Sequence, residues 1–260
     1  MRRIVLVGAG RVATQLAPAL RQAGYDVVQV YSRTMQSAVQ VAERVGAVAV
    51  DTLSQIVTDA DVYIIAVKDA VLPQLLPQLC HGREGALFVH TAGSVPMEVF
   101  AGLAMRYGVM YPMQTFSKER PVDFRQTPLF IEGADAQSLT LIRQLAERLS
   151  ANVREMSSAE RRYLHLAAVF ACNFVNHCYA LSADILEAHG IPFSVMLPLI
   201  EETARKVHQL APAQAQTGPA VRYDENIIEA QSRLLSDHPL MQDVYRLMSQ
   251  SIHQKAISEK

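Results

Sequence analysis

The sequence predicts an α/β chain, with an N-terminal half built on a mostly parallel sheet and an all-α C-terminal half. Three observations predict it. Short β-branched runs alternate with helical patterns up to about residue 155, a glycine-containing turn joins the first run to the first helical pattern, and from Ser157 onward long helical segments replace the strand patterns. The division is expected between residues 1–155 and 156–260; two domains suit a chain of 260 residues that is 50% hydrophobic and 19% charged.

The expected strands are 4–7, 26–31, 47–50, 62–67 and 86–90, with 107–111 and 129–132 following. Between the first two, residues 11–23 repeat Val12, Leu16 and Leu20 at helical spacing and stop at Gly24, which makes one βαβ unit. Pro18 lies inside this helix and predicts a kink, because an interior proline removes a backbone donor. Residues 136–149 carry apolar positions 139, 142, 145, 146 and 149 as an amphipathic helix does. In the second half, one long helix opens at Ser158 with Glu160 and Arg161 and runs to about Ala188. Another spans 191–210, a loop 212–219, and two helices 225–235 and 239–253.

Composition excludes several classes. A formal charge of -1, a pI near 6.7 and no run of basic residues leave no electrostatic footprint for nucleic acid. No membrane partner is expected: the longest apolar stretch, 164–181, is interrupted by His165, Asn173, Asn176 and His177 before it reaches the roughly 20 residues a bilayer needs. The apolar run after Met1-Arg2-Arg3 is too short for a signal peptide, so a cytoplasmic location is expected. Cys80, Cys172 and Cys178 form no C-x-x-C pair and read as reduced, buried thiols. With no H-x-x-x-H, no zinc spacing and no calcium loop, no metal is expected, and without a G-x-S-x-G there is no serine-hydrolase signal.

The chemistry starts at VGAGRVATQL, residues 7–16, where G-x-G-x-x-A stands between a strand and a helix. Gly8 would make the tight turn, Gly10 would let a pyrophosphate approach the backbone, and Ala13 would allow helix and strand to pack closely. The phosphates would meet the free N–H groups of the opening helical turn, at Arg11 and Val12. The second strand ends in Ser32, Arg33 and Thr34, with no carboxylate for a ribose 2′-hydroxyl; a guanidinium and two hydroxyls suit a 2′-phosphate, so the cofactor expected is NADP. The blander alternative is that Ser32 or Thr34 caps the next helix while Arg33 is solvated.

Further candidates sit at other strand ends. Ala66, Val67 and Lys68 follow the fourth strand and would line the cofactor with their backbone, although Lys68 reads equally as a surface lysine. His90, Thr91, Ala92, Gly93 and Ser94 end the fifth strand, and YPMQTFS, 111–117, ends the sixth; both open on the same sheet edge and offer an imidazole, hydroxyls and an amide. His90 reads either as a hydrogen-bonded structural histidine or as a catalyst. On the long helix, HLAAVFACNFVNHCY is apolar nearly all round and should be mostly buried. At 100° per residue His165, Cys172, Asn176 and Tyr179 share one face, with Asn173 at its edge. That stripe either faces a cleft between the domains or forms a self-satisfied polar seam. Arg222 and Asp224 read as a carboxylate-binding pair or as a cap with its partner.

With GAGRVA, SRT, AVKD, HTAGS, YPMQTFS, HLAAVFACNFVNH and TGPAVRYDENI in this order, nearly the whole chain resembles the bacterial Rossmann-like NADP oxidoreductases whose helical C-terminal domain is of unknown function. The N-terminal half is similar to the coenzyme-F420-dependent NADP oxidoreductase and pyrroline-5-carboxylate reductase families. The resemblance implies the fold, an NADP site and a homodimer built through the helical domains. It supplies no substrate. Related β-hydroxyacid dehydrogenases carry K-x-x-x-N on the corresponding helix; if Asn173 matches that asparagine, Val169 replaces the lysine. The expectation is therefore an NADP(H)-dependent oxidoreductase moving hydride to or from a small carbonyl, hydroxy-acid or imine substrate in the interdomain cleft. His165 is the first candidate proton donor and His90 the second, with Asn173 or Asn176 orienting the substrate. The alternatives are a non-catalytic NADP-binding sensor or scaffold, motivated by the absent lysine, and a deazaflavin-linked NADP oxidoreductase.

Overall fold

Apolar runs buried on both faces are what a parallel sheet demands. The computed structural model, which describes residues 3–258, assembles them into an eight-stranded sheet. The strands are β1 (Arg3–Val7), β2 (Asp26–Tyr31), β3 (Val48–Val50), β4 (Val62–Ile65), β5 (Leu87–His90), β6 (Arg106–Pro112), β7 (Leu129–Gly133) and β8 (Val153–Glu155). They lie in the order β3-β2-β1-β4-β5-β6-β7-β8, parallel from β3 to β6, with β7 antiparallel to β6 and β8 parallel to β7. All seven expected strands are present, and β8 is an eighth.

Alternation along each strand feeds two cores. Ile4 and Leu6 pack with Leu16 and Leu20 of α1 (Arg11–Gln22), Val41 of α2 (Met35–Ala42) and Leu145 of α4 (Ala136–Leu149). Val5 and Val7 face the other way, onto Leu72 and Leu76 of α3 (Leu72–Cys80) and onto Phe88 and Phe100. α1 continues through Pro18 to Gln22; the missing donor removes the bond to the Thr14 carbonyl one turn earlier.

The C-terminal half follows the helical expectation with corrections. α5 (Ser158–Ala168), a π-helical segment (Val169–Phe174) and α6 (Val175–Glu187) form one continuous run of 30 residues. Then come α7 (Leu197–Lys206), α8 (Pro212–Ala215), α9 (Pro219–Arg222), α10 (Glu225–Arg233) and α11 (Pro239–Ser258). The expected loop at 212–219 thus holds a short helix and leads into another, each begun by a proline at the position where its missing N–H is harmless. The compact units meet at Asn173/Phe174, whereas residues 155/156 were the expected division. The first half of the long helix packs with the sheet, where Leu164 joins a cluster with Val109, Tyr111 and Phe130.

Two expectations fail on this helix. It is not mostly buried, since Tyr163 is 67% and Phe170 63% exposed; apolar composition states a preference for cover that the chain itself does not provide. It is also long and apolar enough to cross a membrane by length and composition, with a mean hydropathy of 1.3, because its uncharged polar residues lower the average too little. The same test is passed by core helices of soluble proteins. Of the three free cysteines only Cys80 is buried, its thiol pushed up to about 11 by that burial, while Cys172 is half-buried and Cys178 exposed on the same uncovered helix.

Glu132 and Arg161 seat the start of α5 on the sheet. Ser157 caps α5 in a capping box with Glu160, one residue before the expected start. Arg161, 1% exposed, donates from Nη1 to Glu132 Oε2 at 2.7 Å and from Nη2 to the Val95 carbonyl at 2.7 Å. Ser158 gives its backbone N–H and its hydroxyl to the two Glu132 oxygens, and its Oγ accepts from Met97 N. Strand β7, helix α5 and the loop after β5 are thereby tied at one point.

β5 ends in His90, which is fully buried and stacked on Phe100, with Nδ1 accepting from Ala92 N at 3.2 Å and Nε2 unpartnered. Burial first, and the nearby Arg161 charge second, lower its pKa from 6.5 to about 4. The folded chain therefore binds fewer protons here than the unfolded chain, so this contribution is complete above pH 6.5 and is lost as pH falls towards 4. A depression of that size corresponds to about 3 kcal/mol. Melting temperatures of the unaltered chain should fall more steeply between pH 6.5 and 4.5 than those of His90→Asn, which keeps an acceptor but cannot titrate; parallel curves would refute this.

Candidate functional site

The turn after β1 is shaped by one forced contact. Gly8 has φ +118°, its N–H donates to the Tyr31 carbonyl at 2.8 Å, and a Cβ added to it would overlap the Ala66 carbonyl. The turn is thus pressed against the segment leaving β4, where Ala66 N in turn donates to Val7 O at 2.8 Å. Two residues on, the space beside Gly10 is open, with nothing within 4 Å of a built Cβ. Gly10 is the N-cap of α1 and no side chain caps that end. The first helical bond is Thr14 N to Gly10 O, so the N–H groups of Arg11 and Val12 are left for another acceptor. Ala13 is fully buried against the sheet, as the small third position requires.

The end of β2 lies beside this turn through the Gly8–Tyr31 bond. Ser32 is half-buried and donates its N–H to Val50 O at 3.1 Å; Arg33 and Thr34 are exposed. Thr34 occupies the N-cap of α2 without a side-chain cap bond, its hydroxyl donating to Ser37 Oγ at 2.9 Å instead. Arg33 makes no ion pair among the described residues. Farther along the same edge, Ala66 and Val67 are half-buried, and exposed Lys68 precedes a 3₁₀ turn, Asp69–Val71. Thr91 N donates to Ile65 O at 3.1 Å, Thr91 and Ala92 are buried, and the Ser94 hydroxyl bonds the Asp69 carboxylate. The cofactor-binding candidates of the four loops are therefore set along one sheet edge.

At that edge Tyr111 Oη and His165 Nδ1 are 3.0 Å apart, with the rings edge to face at 5.8 Å. Gly93 is what lets the imidazole in, since a Cβ there would overlap the His165 ring and press on Tyr111 Cε2. Tyr111 is 8% exposed, and burial raises its pKa, as do Cys172 and Asp69, while Arg161 opposes them. His165 is half-buried and its Nε2 has no partner among the described residues. Of the two proposed donors, His165 thus presents a nitrogen that can be reached, whereas His90 is a neutral core imidazole.

Asn173 is exposed at the end of the first unit, and Asn176 is exposed in the second. The helical-wheel stripe does not hold across this stretch, because Val169–Phe174 is π-helical and the wider turn shifts every later residue around the axis. The position that K-x-x-x-N would occupy, Val169 to Asn173, lies inside it. In the second unit Asp224 caps α10, accepting from Ile227 N, and Arg222 is exposed without pairing to it. Among the described residues no group of three or more His, Cys, Asp or Glu could hold a metal ion.

Sequence reasoning passed over Glu132 and Gln15, read Arg161 only as part of a helix start, and named Tyr111 within a candidate segment without its partner His165. Tyr111 stood in YPMQTFS at the carboxyl end of β6, and that position was its signal. Gln15 looks like an ordinary polar residue on α1, yet its amide donates to the carbonyls of Ser117, Lys118 and Arg120 and accepts from Val122 N, holding the loop after YPMQTFS.

A family model for a Rossmann-like domain matches residues 2–113, and one for the domain of unknown function DUF2520 matches residues 127–252. A search of the curated proteins finds no match. Among solved structures, the chain is 52% identical to a putative NADP oxidoreductase from Bacteroides fragilis, over 97% of this chain and 98% of that one, with a TM-score of 0.95. It shares the fold of an imine reductase from Myxococcus stipitatus solved with NADP+ (18% identity, 99% and 94% coverage, TM-score 0.68). It also shares that of a 1-pyrroline-5-carboxylate reductase from Streptococcus pyogenes (12% identity, 97% and 98% coverage, TM-score 0.62). The chain belongs to the family in which a Rossmann-like domain is followed by DUF2520, together with the Bacteroides fragilis protein.

Proposed function

We propose that this protein is an NADP(H)-dependent oxidoreductase that transfers hydride between the nicotinamide and a small carbonyl, hydroxy-acid or imine substrate. The observation that carries the reading is the open turn at Gly10, where the N–H groups opening α1 have no side-chain cap and a dinucleotide phosphate could approach; Arg33, without an ion pair among the described residues, is the candidate for a 2′-phosphate. The description of the Bacteroides fragilis relative as an NADP oxidoreductase supports it. The nicotinamide would supply the hydride, and the chain's own groups the position and the proton. His165 is assigned as the proton donor because it stands on that edge with Nε2 free. No step is assigned to His90. Asn173 is a candidate for orienting the substrate, and Asn176 is left as a candidate of the second unit.

The C-terminal unit carries exposed large apolar side chains, among them Leu234 at 83%, Leu240 at 78% and Leu247 at 65%. We assign them to a second copy of the chain. Sedimentation of the full chain should give the mass of a dimer, and a monomer at micromolar concentration would contradict the assignment. The function itself is tested by following NADPH absorbance across 2-oxo acids, cyclic imines and a deazaflavin, beside calorimetric titration with NADPH and NADH. NADPH should bind more tightly, Arg33→Ala should weaken it by about 10-fold or more with little effect on NADH, and His165→Ala should lower turnover by about 100-fold. Tighter NADH binding would overturn the cofactor, and full turnover by His165→Ala would remove it from the mechanism.

A further inference from the structure

We propose that Tyr111 is a positioning residue that fixes His165 in its Nε2–H tautomer and so turns an N–H donor, not a bare lone pair, towards the substrate. This rests on the reading of His165 as the proton-donating group. The phenol is held from several sides: by burial, by Phe130 at a ring distance of 6.5 Å, and by the absence of a side chain at Gly93. Its oxygen lies 3.0 Å from Nδ1, and among the described residues the hydroxyl has no other hydrogen-bond partner. A buried hydroxyl needs an acceptor for its proton. Burial keeps the phenol protonated, so its O–H donates to Nδ1, which in a neutral imidazole accepts only when the ring proton sits on Nε2.

The contrast with His90 sharpens the point. His90 accepts at Nδ1 from a backbone N–H, and its Nε2 is sealed in the core without a partner. His165 has the same Nδ1 engagement, but its Nε2 is not among the buried unpartnered atoms. In the neutral state that N–H polarises a carbonyl oxygen or imine nitrogen.

The test is long-range ¹H–¹⁵N correlation of the imidazoles in the full chain with NADP+ bound, with His165→Ala to assign the signals and Tyr111→Phe as the probe. His165, titrated to its neutral form, should show the Nε2–H pattern, and Tyr111→Phe should convert it to a mixture or to Nδ1–H. On any substrate that is turned over, Tyr111→Phe should lower kcat by about 10-fold or more and change KM by less than about 3-fold, since the donor is misdirected while binding survives. An Nδ1–H tautomer in the unaltered chain, or an unchanged tautomer in Tyr111→Phe, would overturn the proposal. If no substrate is turned over, the oxidoreductase reading fails by itself and the spectra still decide the tautomer.

Discussion

The buried guanidinium of Arg161 is the point on which the site depends. It carries one charge into the interior against Glu132, and the carbonyl of Val95 and the hydroxyl of Ser158 accept further hydrogen bonds from Nη2, while Nε has no partner among the described residues. Removing one partner of such a pair leaves an uncompensated charge and costs about 3–5 kcal/mol. What the pair achieves is placement. His165 lies four residues beyond Arg161, one helical turn, so seating the guanidinium under the loop after β5 sets the imidazole against Gly93 and Tyr111.

The two glycines of the first turn divide the labour at the other end of the sheet edge. Gly8 is demanded by contact, since a Cβ there would overlap the Ala66 carbonyl, and by its positive φ. Gly10 is surrounded by space. A Cβ at Gly10 would meet nothing within 4 Å, so contact within the chain does not demand a glycine there. Gln15, one turn farther along α1, joins the same helix to the loop that begins at Ser117, so that loop and the turn at Gly10 are tied to one helix.

Much of the fold was legible because it depends on local pattern. Residues 136–149 matched α4 end to end, since a period of 3.6 over four turns is hard to mistake, and Asp135 caps it through Ser138 N. β8 was not legible: it has three residues, two of them exposed and charged, and exists only because β7 offers it an edge. The π segment was equally hidden, because one extra residue per turn leaves no compositional trace, and the polar stripe drawn at 100° per residue therefore dissolved. At the candidate site, the positions of the glycines after β1 and of Ser32–Thr34 after β2 were readable from their spacing along β–α units. Tyr111 with His165 and Glu132 with Arg161 were not, being pairs 54 and 29 residues apart that only the tertiary fold brings together.

The placement argument is tested most directly by hydrogen–deuterium exchange of the full chain carrying Glu132→Gln, which leaves Arg161 buried without its counter-charge. The amides of α5 should exchange on the order of 100-fold faster, the rate equivalent of about 3 kcal/mol of lost anchoring, while those of β1 and β4 keep their protection. Unchanged exchange in α5 would mean that the helix is seated by its apolar contacts alone and that the buried ion pair does not place His165.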